Sequence, residues 1–287
     1  MDGRTGYPRL DTFYQQALSR LKMLYSADIA ESVADQLVAD LQHAGVDSEP
    51  AACRPWSQAD VILITYGNSI INTKTNPLQA LQRFLADRLS GLVSTVHILP
   101  FFPFSSDDGF SVIDYYRVNP ELGSWDDVAA IGEQFDLMFD LVINHVSSES
   151  DWFKDFLAQR LPAAEYFITA DPATDLSEVV RPRQSPLLTA VETSAGTRHV
   201  WTTFSADQVD LNFSNPEVLL EMIRVLLFYL QQGSRFIRLD AVAFLWKELG
   251  TNCINLPQTH EVVKLLRELM ELAAPQSVLL PATNLPP

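Results

Sequence analysis

Short apolar runs alternate with longer amphipathic segments along most of the chain. Residues 60–65 contain an unbroken run of four apolar residues with branched side chains, which predicts a parallel strand buried on both faces. Further strands are predicted at residues 94–99, 137–143, 235–239 and 278–280. Strands that alternate with helices form βαβ units, and the right-handed crossovers of such units predict a parallel sheet.

The segments between the strands carry apolar residues at helical spacing. Helices are expected at residues 77–89, 124–134, 151–159, 215–232 and 258–273. Two more helices are expected within residues 10–44, ahead of the first strand. Residues 161–212 are rich in Pro, Thr and Ser and too long for an ordinary loop, so they are expected to form a small, irregular inserted subdomain.

Both an open doubly wound sheet and a (β/α)₈ barrel fit this alternation. No G-x-G-x-x-G follows the first strand and no G-x-x-x-x-G-K-[ST] occurs, so nucleotide binding has no support. The catalytic groups of a barrel project from the C-terminal ends of its strands, and polar residues gather at those ends here. This favours a barrel of which about the first five βα units are present.

The barrel interpretation divides the chain into four stretches. Residues 1–59 are an N-terminal helical segment, 60–146 the first part of the catalytic barrel, 147–213 a helix plus an inserted B-type subdomain, and 214–287 the continued barrel, truncated after the fifth strand.

Candidate functional residues follow three of the predicted strands. Asp107 and Phe110 lie in the stretch after the second strand, and His145 ends the third. Arg238 and Asp240 end the fourth. Taken singly, each residue also has a purely structural interpretation. Asp107 could lie in a solvated turn and Phe110 in the core, His145 could be a hydrogen-bonded histidine at the rim, and Arg238 and Asp240 could form a buried ion pair. Their joint order is much less expected by chance.

The pattern D-x-V-x-N-H, which ends at His145, and the later R-x-D, which ends at Asp240, resemble the first two signature blocks of glycoside hydrolase family 13, the α-amylase superfamily. Within it, the sucrose phosphorylase group is the most similar. The stretches that carry this resemblance are VHILPFFPFSSDDGFSVIDYYRV, GSWDDV, NHVSSES and RLDAVAFLWKELGTNCINLPQTHEVVKLLR. The resemblance runs from about residue 60 to the last residue.

This resemblance implies a retaining α-glucoside phosphorylase, which turns a glucoside and inorganic phosphate into α-glucose 1-phosphate and a free acceptor, with no other cofactor. It implies that Asp240 is the nucleophile and that Arg238 keeps it ionised and oriented. It also implies that His145 and Asp107 bind glucose hydroxyls while Phe110 stacks on the sugar ring. The acceptor could be fructose, a fructose phosphate or glycerate, and LPQTH resembles the branches that do not use plain fructose.

Ala282 departs from the family pattern. Where the group carries its acid/base glutamate in a stretch like LLTETN, this chain reads LLPATN. Alanine cannot donate a proton, and general acid–base catalysis is worth about 10²–10⁴-fold. The later barrel strands are also missing, so we expect an inactive chain with open sheet edges that promote self-association. The alternatives are a non-catalytic sugar-binding remnant, a truncated product without function, or an error at Ala282 in a normal phosphorylase.

Net charge, cysteine content and short motifs limit the binding partners, the cellular compartment and the metal sites that we expect for this protein. The formal net charge of −16 disfavours nucleic acid and anionic membranes as partners and is compatible with a neutral sugar. Cys53 and Cys253 lie far apart, which suggests a thiol-reducing compartment. The N-terminus lacks the apolar core of a signal peptide, and no stretch is long enough to span a membrane, so a cytoplasmic protein is expected. No H-x-H or H-E-x-x-H spacing predicts a metal site.

Overall fold

The computed structural model describes residues 8–46 and 57–282, so Cys53 lies outside the described residues. Its helices are α1 (Pro8–Leu21), α2 (Ala27–His43), α3 (Pro77–Leu89), α4 (Trp125–Gly132), α5 (Asp151–Leu157), α6 (Pro216–Gln231) and α7 (Pro257–Ala273). Its strands are β1 (Ile62–Thr65), β2 (Thr95–Ile98), β3 (Asp136–Val142), β4 (His145–Ser147), β5 (Leu188–Thr193), β6 (Gly196–Trp201), β7 (Gln208–Asp210), β8 (Ser234–Asp240) and β9 (Val278–Pro281). No helix within these ranges is long and apolar enough to cross a bilayer.

The central feature is a parallel five-stranded sheet in the order β1-β2-β3-β8-β9. These are the strands that the apolar runs predict, and the expected parallel sheet of a partial barrel is confirmed. Side chains alternate between the two faces of each strand. Phe139 pairs in register with Ile237 on one face, and Asp140 pairs with Arg238 on the other. One face is therefore apolar and packs against helices, whereas the other carries charge.

The expectation that the first strand is buried on both faces is wrong. Ile62 is 38% exposed and Ile64 is 62% exposed, although Val96 in the neighbouring strand is fully buried. Among the described residues, β1 is an edge of the sheet and has β2 as its one hydrogen-bonded neighbour. Its two isoleucines point to the face that carries the charged residues, where none of the described helices covers them. An apolar run thus indicated a strand but not its position in the sheet.

The two expected N-terminal helices are present and lie outside the sheet. α1 packs against α7, and α2 packs against α6. Arg20 holds the first pair together by ion pairs of 3.0 Å to Glu261 and 2.8 Å to Glu268. Arg224 joins the second pair through Asp40 at 3.1 Å. The N-terminal segment is thereby fixed to the helical layer rather than to the charged face.

The segment between α5 and α6 is more regular than predicted. β5 and β6 form an antiparallel hairpin, closed by the pair Thr193–Gly196. β4 and β7 form a second antiparallel pair, in which His145 is opposite Asp210. The prediction of an irregular subdomain missed the alternating Thr and Val residues of the hairpin. The β4–β7 pair ties this inserted segment to the end of β3, while the domain boundaries given above stay predictions.

Candidate active site

Asp240 lies at the C-terminal end of β8, level with Val142 at the end of β3. Arg238 is two residues earlier on the same face, and its Nη1 lies 3.2 Å from Asp240 Oδ1. The same guanidinium nitrogen also contacts Asp140 Oδ1. Asp140 is fully buried, and its other oxygen lies 2.7 Å from His97 Nε2. Asp140 therefore aligns Arg238, which in turn contacts Asp240.

The charge of Asp240 depends on opposing influences. Burial raises the pKa of Asp240 and Asp140 adds to that rise, whereas Arg238 opposes it. The net direction is upward. Arg238 thus limits the rise in the pKa of this carboxyl without cancelling the effect of burial.

His145 is buried at the bend between β3 and β4. Its Nε2 lies 3.0 Å from the Phe110 carbonyl oxygen, and its Nδ1 lies 3.3 Å from Asn144 Nδ2. A carbonyl can only accept, so the tautomer with the proton on Nε2 and with Nδ1 accepting from Asn144 satisfies both contacts. Gln208 Nε2 also lies 3.2 Å from His145 Nε2. Burial lowers the pKa of His145 against the pull of Asp210 and Asp240, which favours this neutral ring.

Asn144 belongs to a buried network behind His145. Its Oδ1 accepts from Lys247 Nζ at 2.7 Å, and its Nδ2 donates to Asp210 Oδ2 at 3.1 Å. Lys247 also pairs with Asp210 at 2.7 Å. Desolvation lowers the pKa of Lys247, while Asp210 opposes this by stabilising the ammonium. The network fixes the orientation of Asn144 and, through it, the imidazole.

Asp107 and Phe110 lie on the loop after β2, which we call the Asp107 loop (residues 105–111). Asp107 and Asp108 have φ values of 54° and 51°, in the left-handed region that is sparsely populated by residues other than glycine. Gly109 follows with a φ of 105°, and a Cβ there would lie 2.6 Å from the Pro100 carbonyl oxygen. This position therefore needs glycine, both for its backbone angle and for the close approach.

The carboxylate of Asp107 has two partners from the inserted segment. Gln208 Nε2 donates to Asp107 Oδ2 at 2.9 Å, and Arg183 Nη2 lies 3.2 Å from both carboxylate oxygens. Gln208 also donates to the Phe110 carbonyl oxygen at 3.3 Å. The inserted segment thus reaches the Asp107 loop directly.

These side chains border one cavity of about 370 Å³. It is lined by Tyr66, Asp107, Asp108, Phe110, His145, Arg183, Phe204, Gln208, Arg238 and Asp240. All the residues that sequence reasoning assigned to catalysis or sugar binding lie there except Ala282. A second cavity of about 410 Å³ shares Phe204, Arg238 and Asp240 with the first and is bordered by Ala282. Sugar-sized space is therefore available on both sides of Asp240.

Comparison with known proteins identifies the family to which this chain belongs. Residues 89–282 match the family description "Alpha amylase, catalytic domain". The chain belongs to the α-amylase family. The match covers more than half of the chain, including β2, β3, β8 and the residues that border the cavity after them, so the resemblance seen in the sequence is confirmed.

Individual relatives of this α-amylase family chain are phosphorylases. The chain is 55% identical to the glucosylglycerate phosphorylase of Spirochaeta thermophila, over 84% of its own length and 41% of the relative's. It is 45% identical to the glucosylglycerate phosphorylase of Escherichia coli, over 95% and 49% of the two lengths. A sucrose phosphorylase of Agrobacterium vitis is 36% identical over 72% and 44%. The chain thus spans less than half the length of these relatives.

Solved structures of other proteins share the fold of this chain. Sucrose 6F-phosphate phosphorylase from Thermoanaerobacter thermosaccharolyticum superposes with a TM-score of 0.71 at 29% identity, covering 79% of this chain and 48% of that one. The trehalulose synthase MutB from Pseudomonas mesoacidophila superposes with a TM-score of 0.68 at 22% identity, which shows the shared fold alone. The sheet is therefore the first part of an α-amylase family barrel.

Ala282 follows β9 beside the nucleophile candidate. Arg238 pairs in register with Leu280, so Asp240 and Ala282 lie level at the ends of adjacent strands. The Ala282 N–H donates to the Leu239 carbonyl oxygen at 3.0 Å. The methyl group borders the second cavity and places no proton donor there. Part of the aligned LLPATN stretch, Thr283 and Asn284, lies outside the described residues.

Five residues of the first cavity were missed by sequence reasoning, and one of them, Asp108, adjoins a residue that was found. Tyr66 directly follows β1, so the rule that placed the other strand-end residues could have found it. Arg183, Phe204 and Gln208 belong to the inserted segment, where no periodic pattern indicates which side chains face the site. No group of three His, Cys, Asp or Glu side chains within residues 8–46 and 57–282 is arranged to hold a metal ion.

Proposed function

We propose that this chain carries the glucosyl-binding part of a retaining glycoside phosphorylase that acts on an α-glucosyl glycerate. The observation that carries the proposal is the placement of Asp240, Asp107 and His145 around one sugar-sized cavity in an α-amylase family sheet. The choice of acceptor rests on relatives, because the glucosylglycerate phosphorylases are 45–55% identical and the sucrose phosphorylases 32–36%.

We assign the role of nucleophile to Asp240, which ends β8 and borders the cavity. In the first step its carboxylate attacks the anomeric carbon, the glycosidic C–O bond breaks, and the departing glycerate oxygen takes up a proton. In the second step a phosphate oxygen attacks the anomeric carbon and releases Asp240, giving α-glucose 1-phosphate. Phosphate is already an anion, so this second attack depends less on a general base than attack by water does.

Other cavity residues divide the binding work. Asp107 and His145 would hold the glucose hydroxyls, and Phe110 would offer its ring to the apolar C–H face of the sugar. Arg183 and Arg238 are the cations that border the cavity, so they are the candidates for phosphate. The side chain of Arg183 is 52% exposed, which leaves it free to exchange Asp107 for an incoming anion.

Ala282 favours a second candidate, a sugar-binding chain without turnover. The first step with a glycerate leaving group needs a proton, and position 282 cannot supply one. A donor whose leaving group needs no proton separates the two candidates. α-Glucosyl fluoride is such a donor, because fluoride departs as an anion.

The test is to incubate the chain with α-glucosyl fluoride and phosphate and to measure α-glucose 1-phosphate. We expect product, its loss in Asp240→Asn, and its persistence in Asp108→Asn, a matched change at the rim of the same cavity. Binding of α-glucose 1-phosphate without any product would favour the sugar-binding candidate. Failure to bind α-glucose 1-phosphate at all would overturn both.

A further inference from the structure

The carboxylate of Asp207 collects serine hydroxyl groups from two other parts of the chain. Ser105 and Ser111 donate to its Oδ2 at 2.6 Å and 2.7 Å, and Ser106 donates to the same oxygen. Ser148, after β4, donates to Oδ1 at 2.7 Å. We call these four hydroxyl groups and Asp207 the serine clamp. Ser147 Oγ and the Ser148 N–H lie farther from Oδ1, at 3.4 Å and 3.3 Å. A carboxylate can accept at about four sites, so the four hydroxyl groups of the clamp already fill it.

Three of the four serines belong to the Asp107 loop. Ser105 and Ser106 directly precede Asp107, and Ser111 directly follows Phe110. The residues between them include the left-handed Asp107 and Asp108. Such backbone conformations persist only where the surroundings hold them, and the clamp holds this loop at both ends.

The side chain of Asp107 is held by the residue that follows Asp207 in the sequence. Gln208, the neighbour of Asp207, donates to Asp107 Oδ2 at 2.9 Å. The clamp therefore anchors the backbone of the Asp107 loop, and the next residue along the chain orients the carboxylate. A displacement of Asp207 would alter both contacts together.

The clamp requires a charged carboxylate. Burial pushes the pKa of Asp207 upward, and the hydroxyl groups of Ser105, Ser106, Ser148 and Ser111 outweigh burial and lower the pKa to about 2. Asp207 is thus ionised at neutral pH, and all four hydroxyl groups can act as donors towards it. An asparagine would replace one acceptor oxygen by an NH₂ donor.

We propose that Asp207 is a positioning residue for glucosyl binding, which holds the Asp107 loop so that the Asp107 carboxylate meets the sugar hydroxyls. This inference rests on the proposed function, since it assigns the sugar contact to Asp107. It adds a residue that no strand-end pattern predicts and that does not border the cavity itself.

The test measures binding of α-glucose 1-phosphate by calorimetry in the full chain. We expect Asp207→Asn to weaken binding by about tenfold or more, as loss of a charge-assisted contact does. Asp127→Asn is the matched control, because Asp127 also accepts from several donors, including Asn76 and Gln79, in a region that does not border the cavity. We expect this control to bind within about twofold of the parent chain.

A double-mutant cycle separates positioning from general structural support. If Asp207 acts through Asp107, Asp207→Asn should weaken binding by less than about threefold when Asp107 is already alanine. An undiminished loss in that background, or an equal loss in Asp127→Asn, would overturn the inference. If Asp107→Ala alone leaves binding unchanged, the assigned sugar contact is wrong and this inference falls with it. Binding lost with Asp107→Ala but retained with Asp207→Asn overturns this inference only.

If Asp207→Asn fails to fold, variants of single serine residues test the same inference. Ser106→Ala removes a donor next to Asp107, whereas Ser277→Ala removes a comparable donor, 2.6 Å from the Ala274 carbonyl oxygen, that belongs to neither the serine clamp nor the cavity. Positioning predicts weaker binding in the first variant and near-parent binding in the second. Equal effects of the two variants would contradict it.

Discussion

The two faces of the five-stranded sheet differ in what their side chains contact. On the helix-covered face, Phe139 is fully buried and lies 5.0 Å from Phe101, centroid to centroid. On the opposite face, Asp140 and Arg238 occupy the neighbouring positions of the same strands. Adjacent residues therefore serve stability and chemistry separately, because a strand sends successive side chains to opposite sides.

The largest expected effect concerns the charged face, where Ala282 lies level with Asp240. Ala282→Glu should raise transfer from an α-glucosyl glycerate by about 10²–10⁴-fold, because it supplies the missing proton donor. The measurement is α-glucose 1-phosphate formed from that donor and from α-glucosyl fluoride. Ala282→Gln is the control of equal size without an acidic proton. An equal gain from glutamine would show that size rather than acidity matters.

Substitutions on the helix-covered face should change the stability of the fold rather than the activity. Phe139→Ala should lower the free energy of unfolding by about 3–5 kcal/mol, because it leaves a cavity among buried rings. Urea denaturation measures the loss. Ile64→Ala is the comparison on the uncovered face and should cost less than about 0.5 kcal/mol, since that side chain is 62% exposed. Similar costs at the two sites would remove the proposed distinction between the faces.

A pH-dependent difference is expected at Asp240. Burial raises the pKa of Asp240, so at pH values between the ordinary pKa of aspartate and this raised pKa the folded chain binds a proton that the unfolded chain has released. That contribution to stability is fully present below the ordinary pKa of aspartate and is lost as the pH rises through the raised pKa. Asp240→Asn should therefore stabilise the fold near neutral pH.

The measurement compares urea unfolding of the parent chain and Asp240→Asn at about pH 7 and about pH 3.5. The stabilisation by asparagine should be present at the higher pH and shrink at the lower one. A gain of equal size at both values would mean that charge burial at Asp240 is not its source.

The smallest effect on folding is expected at the sheet edge. Ile62 and Ile64 are exposed on β1, an edge strand of the described sheet. Self-association through such an edge stays a prediction. Ile64→Lys should reduce concentration-dependent association in sedimentation experiments, because charge on an edge strand opposes pairing, while unfolding changes by less than about 0.5 kcal/mol. Unchanged association would place any contact elsewhere.

Most of the sheet could be predicted from the sequence. Apolar runs indicated all five of its strands, and parallel topology then required the residues after β3 and β8 to meet at one rim. His145 and Asp240 were found in this way, and the resemblance added candidate roles. Prediction failed where a pattern carried no information about neighbours: the exposure of Ile64 depends on β1 being an edge, which its own residues do not encode.

By itself, the sequence determined the helices, the order of the five strands of the central sheet, the family and the strand-end residues Arg238, His145 and Asp240, because periodicity and short motifs are local. Only the tertiary structure decided that Gln208 donates to Asp107, 101 positions away in the sequence. It also decided that Asp207 accepts hydrogen bonds from the serines that precede and follow Asp107 in the loop. Those contacts arise where the inserted segment folds back over the rim of the sheet. Their residues follow no repeating pattern, so only the folded chain brings them together.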